Sequence, residues 1–191
     1  MNDQLYWFAT RGAGVVSLLL FTAVMCIGIL TTTRWQSTNW PRFLTAELHR
    51  SLALLSVVFL VVHVVTAIVD PFTHLGLGAA LIPFASSYRP LWVGLGVISI
   101  DLGVAVLVTS LLKARVGQRV WRAIHWLAYT SWPLAMLHSI GSGSDAMAPW
   151  MLAIDVICGG AVLIAIAWRV LAARGSNHAD LAWVASAGRD G

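Results

Sequence analysis

Five stretches of this chain stay apolar long enough to cross a lipid bilayer: Gly12–Thr33, Ser51–Val69, Pro90–Leu112, Ala123–Ile140 and Met147–Trp168. A hydrocarbon core of about 30 Å takes about 20 helical residues, and a segment inside it must satisfy its own backbone hydrogen bonds. The five stretches therefore predict an all-α, polytopic membrane bundle of five transmembrane helices. Composition supports lipid as the solvent. Of 191 residues, 59% are hydrophobic and 10% charged, whereas a soluble domain carries about a quarter charged residues. Only short loops and two tails remain, so the expected organisation is one membrane domain over 12–172, with an outer tail at 1–11 and a cytoplasmic tail at 173–191.

The first apolar stretch does not read as a secretory signal. It is preceded by Asp3 and a single Arg11 rather than a basic segment, and its apolar run is too long. Cys26 and Cys158 both fall inside apolar segments. They form no disulfide framework and no Cys-x-x-Cys metal motif, which leaves packing as their expected role.

Orientation follows from Lys and Arg near the helix ends. With five crossings, Arg34, Arg42, Arg50, Lys113, Arg115, Arg119, Arg122, Arg169, Arg174 and Arg189 share one side, and Arg11 and Arg89 the other. That bias predicts an outer N-terminus and a cytoplasmic C-terminus. The net charge of +4 then reflects topology and calls for no nucleic-acid partner. Tyr6, Trp7, Tyr88, Trp92 and Trp150 fall at predicted outer ends, and Trp35, Trp40, Trp121, Trp126 and Trp168 at inner ends, as expected of interfacial anchors.

Four of the six histidines lie in or beside two of these helices. His49 and His63 are fourteen residues apart in the second, and His125 and His138 thirteen apart in the fourth. Both helices start from the cytoplasmic side, so His49 and His125 share an inner depth and His63 and His138 an outer one. At 1.5 Å per residue the two levels are about 20 Å apart. A lone intramembrane histidine is often a hydrogen-bonded packing residue, but independent packing residues have no reason to match in depth on two parallel helices. Two matched pairs form two bis-imidazole sites. Two imidazoles alone leave a zinc or copper ion short of ligands, and no Asp, Glu or Cys stands at the right depths. A haem brings four nitrogens and needs only two axial ligands. The absence of Cys-x-x-Cys-His excludes covalent attachment, so the expected cofactor is two non-covalent haem b groups. No catalytic side chain is expected besides these ligands.

One geometrical point stays open. Fourteen residues at about 100° each end some 40° short of four turns and share a face, whereas thirteen end about 140° short. A kink at Pro133, or haems approached from different sides, are the two available resolutions.

This constellation resembles the ferric reductase-like transmembrane domain, the di-haem b module of ferric reductases, NADPH oxidases and the haem subunit of the methionine-sulfoxide reductase system. The stretches DPFTHLGLGAALIPFASSYRPLW (Asp70–Trp92) and RAIHWLAYTSWPLAMLH (Arg122–His138) are similar to bacterial members. The resemblance covers about Leu48 to Trp168. It implies that His49 pairs with His125 and His63 with His138, that two stacked haems carry electrons across the bacterial plasma membrane, and that the protein is part of an oxidoreductase system. Family members often have six helices and a cytoplasmic flavin and nicotinamide domain. Here the Gly-x-Gly pieces Gly12/Gly14, Gly76/Gly78 and Gly94/Gly96 follow no strand and open no βαβ unit. The expected donor is thus a separate cytoplasmic flavoprotein reductase or a membrane quinol.

Other residues admit two readings. Arg50 and Arg122, beside His49 and one turn before His125, suit inner haem propionates or are ordinary positive-inside anchors. Tyr88, Arg89, Ser139 and Ser142 are the weaker outer candidates. Asp101, mid-helix, and Asp155 are expected to hydrogen-bond neighbouring helices or to move protons. His74, with Asp70 nearby, reads as a solvated loop residue or a metal contact, and His178 as an idle tail residue. Two rival functions remain: a haem-free membrane scaffold or assembly protein, whose histidines bridge helices, and a quinol-oxidising cytochrome b subunit of a respiratory dehydrogenase.

Overall fold

The computed structural model describes residues 2–31, 42–71, 75–143 and 145–187. Eight helices run in the order α1 (Asn2–Thr31), α2 (Arg42–Val69), α3 (Leu77–Leu81), α4 (Pro90–Leu111), α5 (Lys113–Val116), α6 (Gln118–His125), α7 (Ala128–Ser142) and α8 (Pro149–Ala187). His74, His178, Arg34, Trp35, Trp40 and Arg189 lie outside the described residues or their side chains. Proline opens α4 and α8, where its missing N–H and fixed φ suit the first helical turn.

Four helices are long and apolar enough to cross a membrane: Leu5–Thr31, Phe43–Val69, Pro90–Leu111 and Pro149–Arg174. The fifth expected span, Ala123–Ile140, is divided, so the count of continuous spanning helices among the described residues is four. Its first part, α6, ends at His125, and α7 begins three residues later. Between them the backbone tightens to i→i−3 bonds: Leu127 N donates to Ile124 O at 2.9 Å, Tyr129 N to Trp126 O at 3.0 Å and Thr130 N to Leu127 O at 3.0 Å.

This tightening recovers part of the angle that the thirteen-residue spacing leaves. Three-residue turns wind about 120° per residue against about 100° in an α-helix. Each residue so wound recovers about 20°, so the three bonds recover about 60° of the shortfall. Pro133 lies inside α7, beyond the interruption.

The helices form two antiparallel pairs, α1 with α2 and α4 with α6–α7, joined by α8 against α1 and α7. Leu18, Met25 and Ile29 of α1, Trp132 and Met136 of α7, and Cys158, Val162 and Ala165 of α8 make the core of that junction. Trp132 Nε1 donates to Thr22 Oγ1 at 3.0 Å across it. Both thiols are free, and the packing role expected of Cys158 is the one observed. The outward faces remain apolar: Val156 and Ile164 of α8 are each 72% exposed, as lipid contact requires and water would penalise. Between α2 and α6–α7 there is no extended packed interface among the described residues.

Candidate functional site

Across that unpacked seam the four histidines meet in two pairs. The rings of His49 and His125 have centroids 6.3 Å apart, and those of His63 and His138 are 6.1 Å apart. His49 thus faces His125, and His63 faces His138. The rings do not lie parallel: their planes cross at 59° in the first pair and 85° in the second.

Each of three rings is fixed from behind by a backbone carbonyl of the adjacent helix. His49 Nδ1 reaches Val24 O at 3.1 Å, His63 Nδ1 reaches Thr10 O at 2.8 Å, and His138 Nδ1 reaches Trp92 O at 2.9 Å. A carbonyl can only accept, so Nδ1 carries the proton in all three and Nε2 keeps its lone pair. His138 Nδ1 also lies 3.0 Å from Ser142 Oγ. The fourth ring differs. His125 Nδ1 is buried with no hydrogen-bond partner among the described residues, and the ring stacks on Trp121 at 5.0 Å and 27°. Trp121 is thus more than the interfacial anchor expected of it.

The carbonyls are reachable because glycine stands beside them. A Cβ at Gly14 would come within 2.8 Å of His63 Nδ1, and one at Gly28 within 3.3 Å of His49 Cε1. At Gly96 it would run into the His138 ring. None of these three glycines was singled out for this role in the sequence. The signal was present, since Gly14 and Gly28 are fourteen residues apart, as His49 and His63 are.

Arg50 and Arg122 are both exposed, on the side of the His49–His125 pair. Polar side chains on the side of the His63–His138 pair serve the protein's own fold. Arg89 Nη1 donates to Gly141 O at 2.5 Å and Gly143 O at 3.3 Å, and Tyr88 Oη donates to Ser142 O at 3.1 Å. Arg11, read in the sequence only for its bearing on orientation and the absence of a signal, forms an ion pair with Asp145 that joins α1 to the α7–α8 connection. Asp155 is buried and accepts from Ser139 Oγ at 3.2 Å, the bond to a neighbouring helix expected of it. Asp101 departs from that expectation, because it is exposed on α4. Asp70 is buried at the end of α2. No group of three or more His, Cys, Asp or Glu that could hold a metal ion occurs among the described residues.

A family described as the ferric reductase like transmembrane component matches residues 13–137. No curated protein and no solved structure matches the chain. The match runs from the glycine contacts on α1 through three of the four paired histidines, and it covers well over half of the sequence. Taken with the apolar helices, it shows that this membrane protein belongs to the ferric reductase-like transmembrane family, whose members are generally haem-binding and depend on an electron donor.

Proposed function

We propose that this chain is a di-haem b cytochrome that carries electrons across the membrane, with His49 and His125 holding the inner haem and His63 and His138 the outer. The observation that carries this reading is the convergence of four imidazoles, from two helices, into two facing pairs 6.3 and 6.1 Å apart. Two metal–imidazole bonds of about 2.0–2.1 Å each, plus the step from each nitrogen to its ring centre, call for centroids roughly 6 Å apart. Three of the four Nε2 atoms are freed for ligation by the bond that Nδ1 makes. A bare ion would find only two ligands per pair, whereas a haem needs no more than two.

When bound, haem supplies reversible one-electron chemistry at each level. The chain's own part is to hold, orient and shield. The carbonyls of Thr10, Val24 and Trp92 fix three imidazole planes, and the apolar faces of α2 and α7 keep water from the seam. Arg50 and Arg122, both exposed, would pair with propionates at the inner end. In this reading α6 and α7 together complete a fifth crossing, with the N-terminus outside and the C-terminus cytoplasmic. The membrane is the bacterial plasma membrane. A cytoplasmic flavoprotein or a membrane quinol delivers electrons to the inner level, and an acceptor outside takes them from the outer one.

The test is the optical spectrum and haem-to-protein ratio of the detergent-purified chain, oxidised and then reduced with dithionite. Two haems per chain with low-spin, six-coordinate bands are expected. One haem would remove the relay. A protein that stays colourless after haem supplementation would leave the scaffold.

A further inference from the structure

The α1–α2 pair and the α4–α7 pair carry the same short pattern at the same places. On the leading helices Gly12-Ala-Gly14-Val-Val-Ser17 is echoed by Gly94-Leu-Gly96-Val-Ile-Ser99. On the following helices Ser56 stands seven residues before His63, and Ser131 seven before His138. The structure gives the matching residues matching partners. Gly14 faces His63 as Gly96 faces His138. Ser17 and Ser56 exchange side-chain-to-backbone bonds at 3.3 and 3.2 Å, as Ser99 and Ser131 do at 2.8 and 2.9 Å. In both pairs the carbonyl that receives Nδ1 belongs to the residue four before the glycine, Thr10 before Gly14 and Trp92 before Gly96. The sequence pattern and the contacts coincide, as they do in an internal repeat of a membrane protein.

We propose that the chain contains one half-site twice, and that Gly14, Gly28 and Gly96 are positioning residues for the axial imidazoles. The physical reason lies in the helix. The carbonyl oxygen of residue i−4 sits beside the Cα of residue i, and any Cβ there screens it. Glycine removes the screen, so an imidazole lies against the helix and uses the carbonyl's second lone pair. The first copy contains this arrangement at both levels, with Gly28 and Val24 serving His49. The second contains it once. Fourteen residues beyond Gly96 stands Ser110, whose hydroxyl accepts from Trp121 Nε1 at 3.3 Å. There His125 leans on Trp121 and has no acceptor for Nδ1 among the described residues. The inner pair is therefore asymmetric, with one imidazole locked by a carbonyl and one held by an indole.

This inference rests on the proposed haem reading, and its test separates the two. Gly96→Ala, Gly28→Ala and the control Gly103→Ala are made in the full haem-loaded chain. A Cβ at Gly103 would meet only Ser131 Oγ, at 3.9 Å. Haem retention against a competing apo-protein, the low-spin spectrum and the two midpoint potentials are measured. Gly96→Ala is expected to weaken haem retention at one level by about 10–100-fold, the usual effect of losing an outer-shell partner, and to shift that level's bands and potential alone. Gly28→Ala is expected to act in the same direction on the other level and less strongly. Gly103→Ala is expected to leave both haems as they are. Should Gly96→Ala fail to fold, Gly28→Ala decides, because its contact of 3.3 Å yields to a small shift. Unchanged spectra and retention in the glycine variants, or equal damage from Gly103→Ala, would overturn the positioning role while the haem reading stands. A wild-type chain without haem would overturn both.

Discussion

Between α1 and α2, glycines and histidines keep the same interval: Gly14 to Gly28 and His49 to His63 are each fourteen residues. Between α4 and α6–α7 the match is broken twice, by Ser110 where a glycine would stand and by a spacing of thirteen from His125 to His138. The first pair stays regular helix throughout the interval, while the second tightens its backbone between Ile124 and Thr130. Both pairs nevertheless deliver their imidazoles to the same two meetings. Register in such a bundle is thus a property of a helix and its neighbour together. A residue missing from one side can be recovered by winding, provided that a turn of backbone is free to change its pitch.

The largest effect expected from breaking this comparison is the loss of a whole level. His63→Leu and His138→Leu should each remove one of two haems, and His49→Leu with His63→Leu should remove both, read as the haem-to-protein ratio. A chain that keeps both haems after His138→Leu would remove the outer pair from the proposal.

Next in size comes the ion pair made by the first half. The residue preceding its Gly-x-Gly is Arg11, where the second half has Val93, and Arg11 pairs with Asp145 while both side chains are about four-fifths buried, at 21% and 19% exposure. Arg11→Leu should lower stability by roughly 1–4 kcal/mol, between the surface and the fully buried cases, seen as a lower thermal midpoint in detergent. Arg11→Leu combined with Asp145→Leu should recover part of it.

Smaller again are the serine pairs. Ser56→Ala and Ser131→Ala should each cost about 0.6 kcal/mol and at most about 1.7, the range for interhelical hydrogen bonds in lipid. Equal losses in the two halves would sharpen the equivalence, and a loss confined to one would weaken it. The smallest effect is expected from Ser110→Gly, which restores the glycine of the pattern at the cost of the Trp121 contact. It should shift the inner midpoint potential and leave the outer one in place. Movement of the outer potential instead would break the assignment of Ser110 to the inner level.

Much of this was visible before any coordinates. The apolar stretches and the two levels of histidines depend on composition and helical rise, which read directly, whereas the pairing of the histidines followed from the family resemblance. The break between His125 and Ala128 carries no such mark, since Trp126 and Leu127 are neither glycine nor proline. Pro133, the proline in that span, lies inside α7 and beyond that break. The Gly-x-Gly pieces were tested against a phosphate-binding template and rejected. Their other meaning depends on histidines of another helix, which no local window contains. The Arg11–Asp145 pair was hidden for the same reason: more than a hundred residues separate its members.

The exchanged serine bonds also set a measure. Each pair lies between the two histidine levels and locks one helix of its half to the other. To slide by one turn, about 5.4 Å, a helix would have to give up both bonds at once and pull its imidazole from the carbonyl behind it. On the proposed function, the height between the two electron stations is therefore ruled into the backbone like marks on a gauge. Drift in distance is closed to the molecule as a way of changing the rate of passage, and the tuning falls to the surroundings of each imidazole.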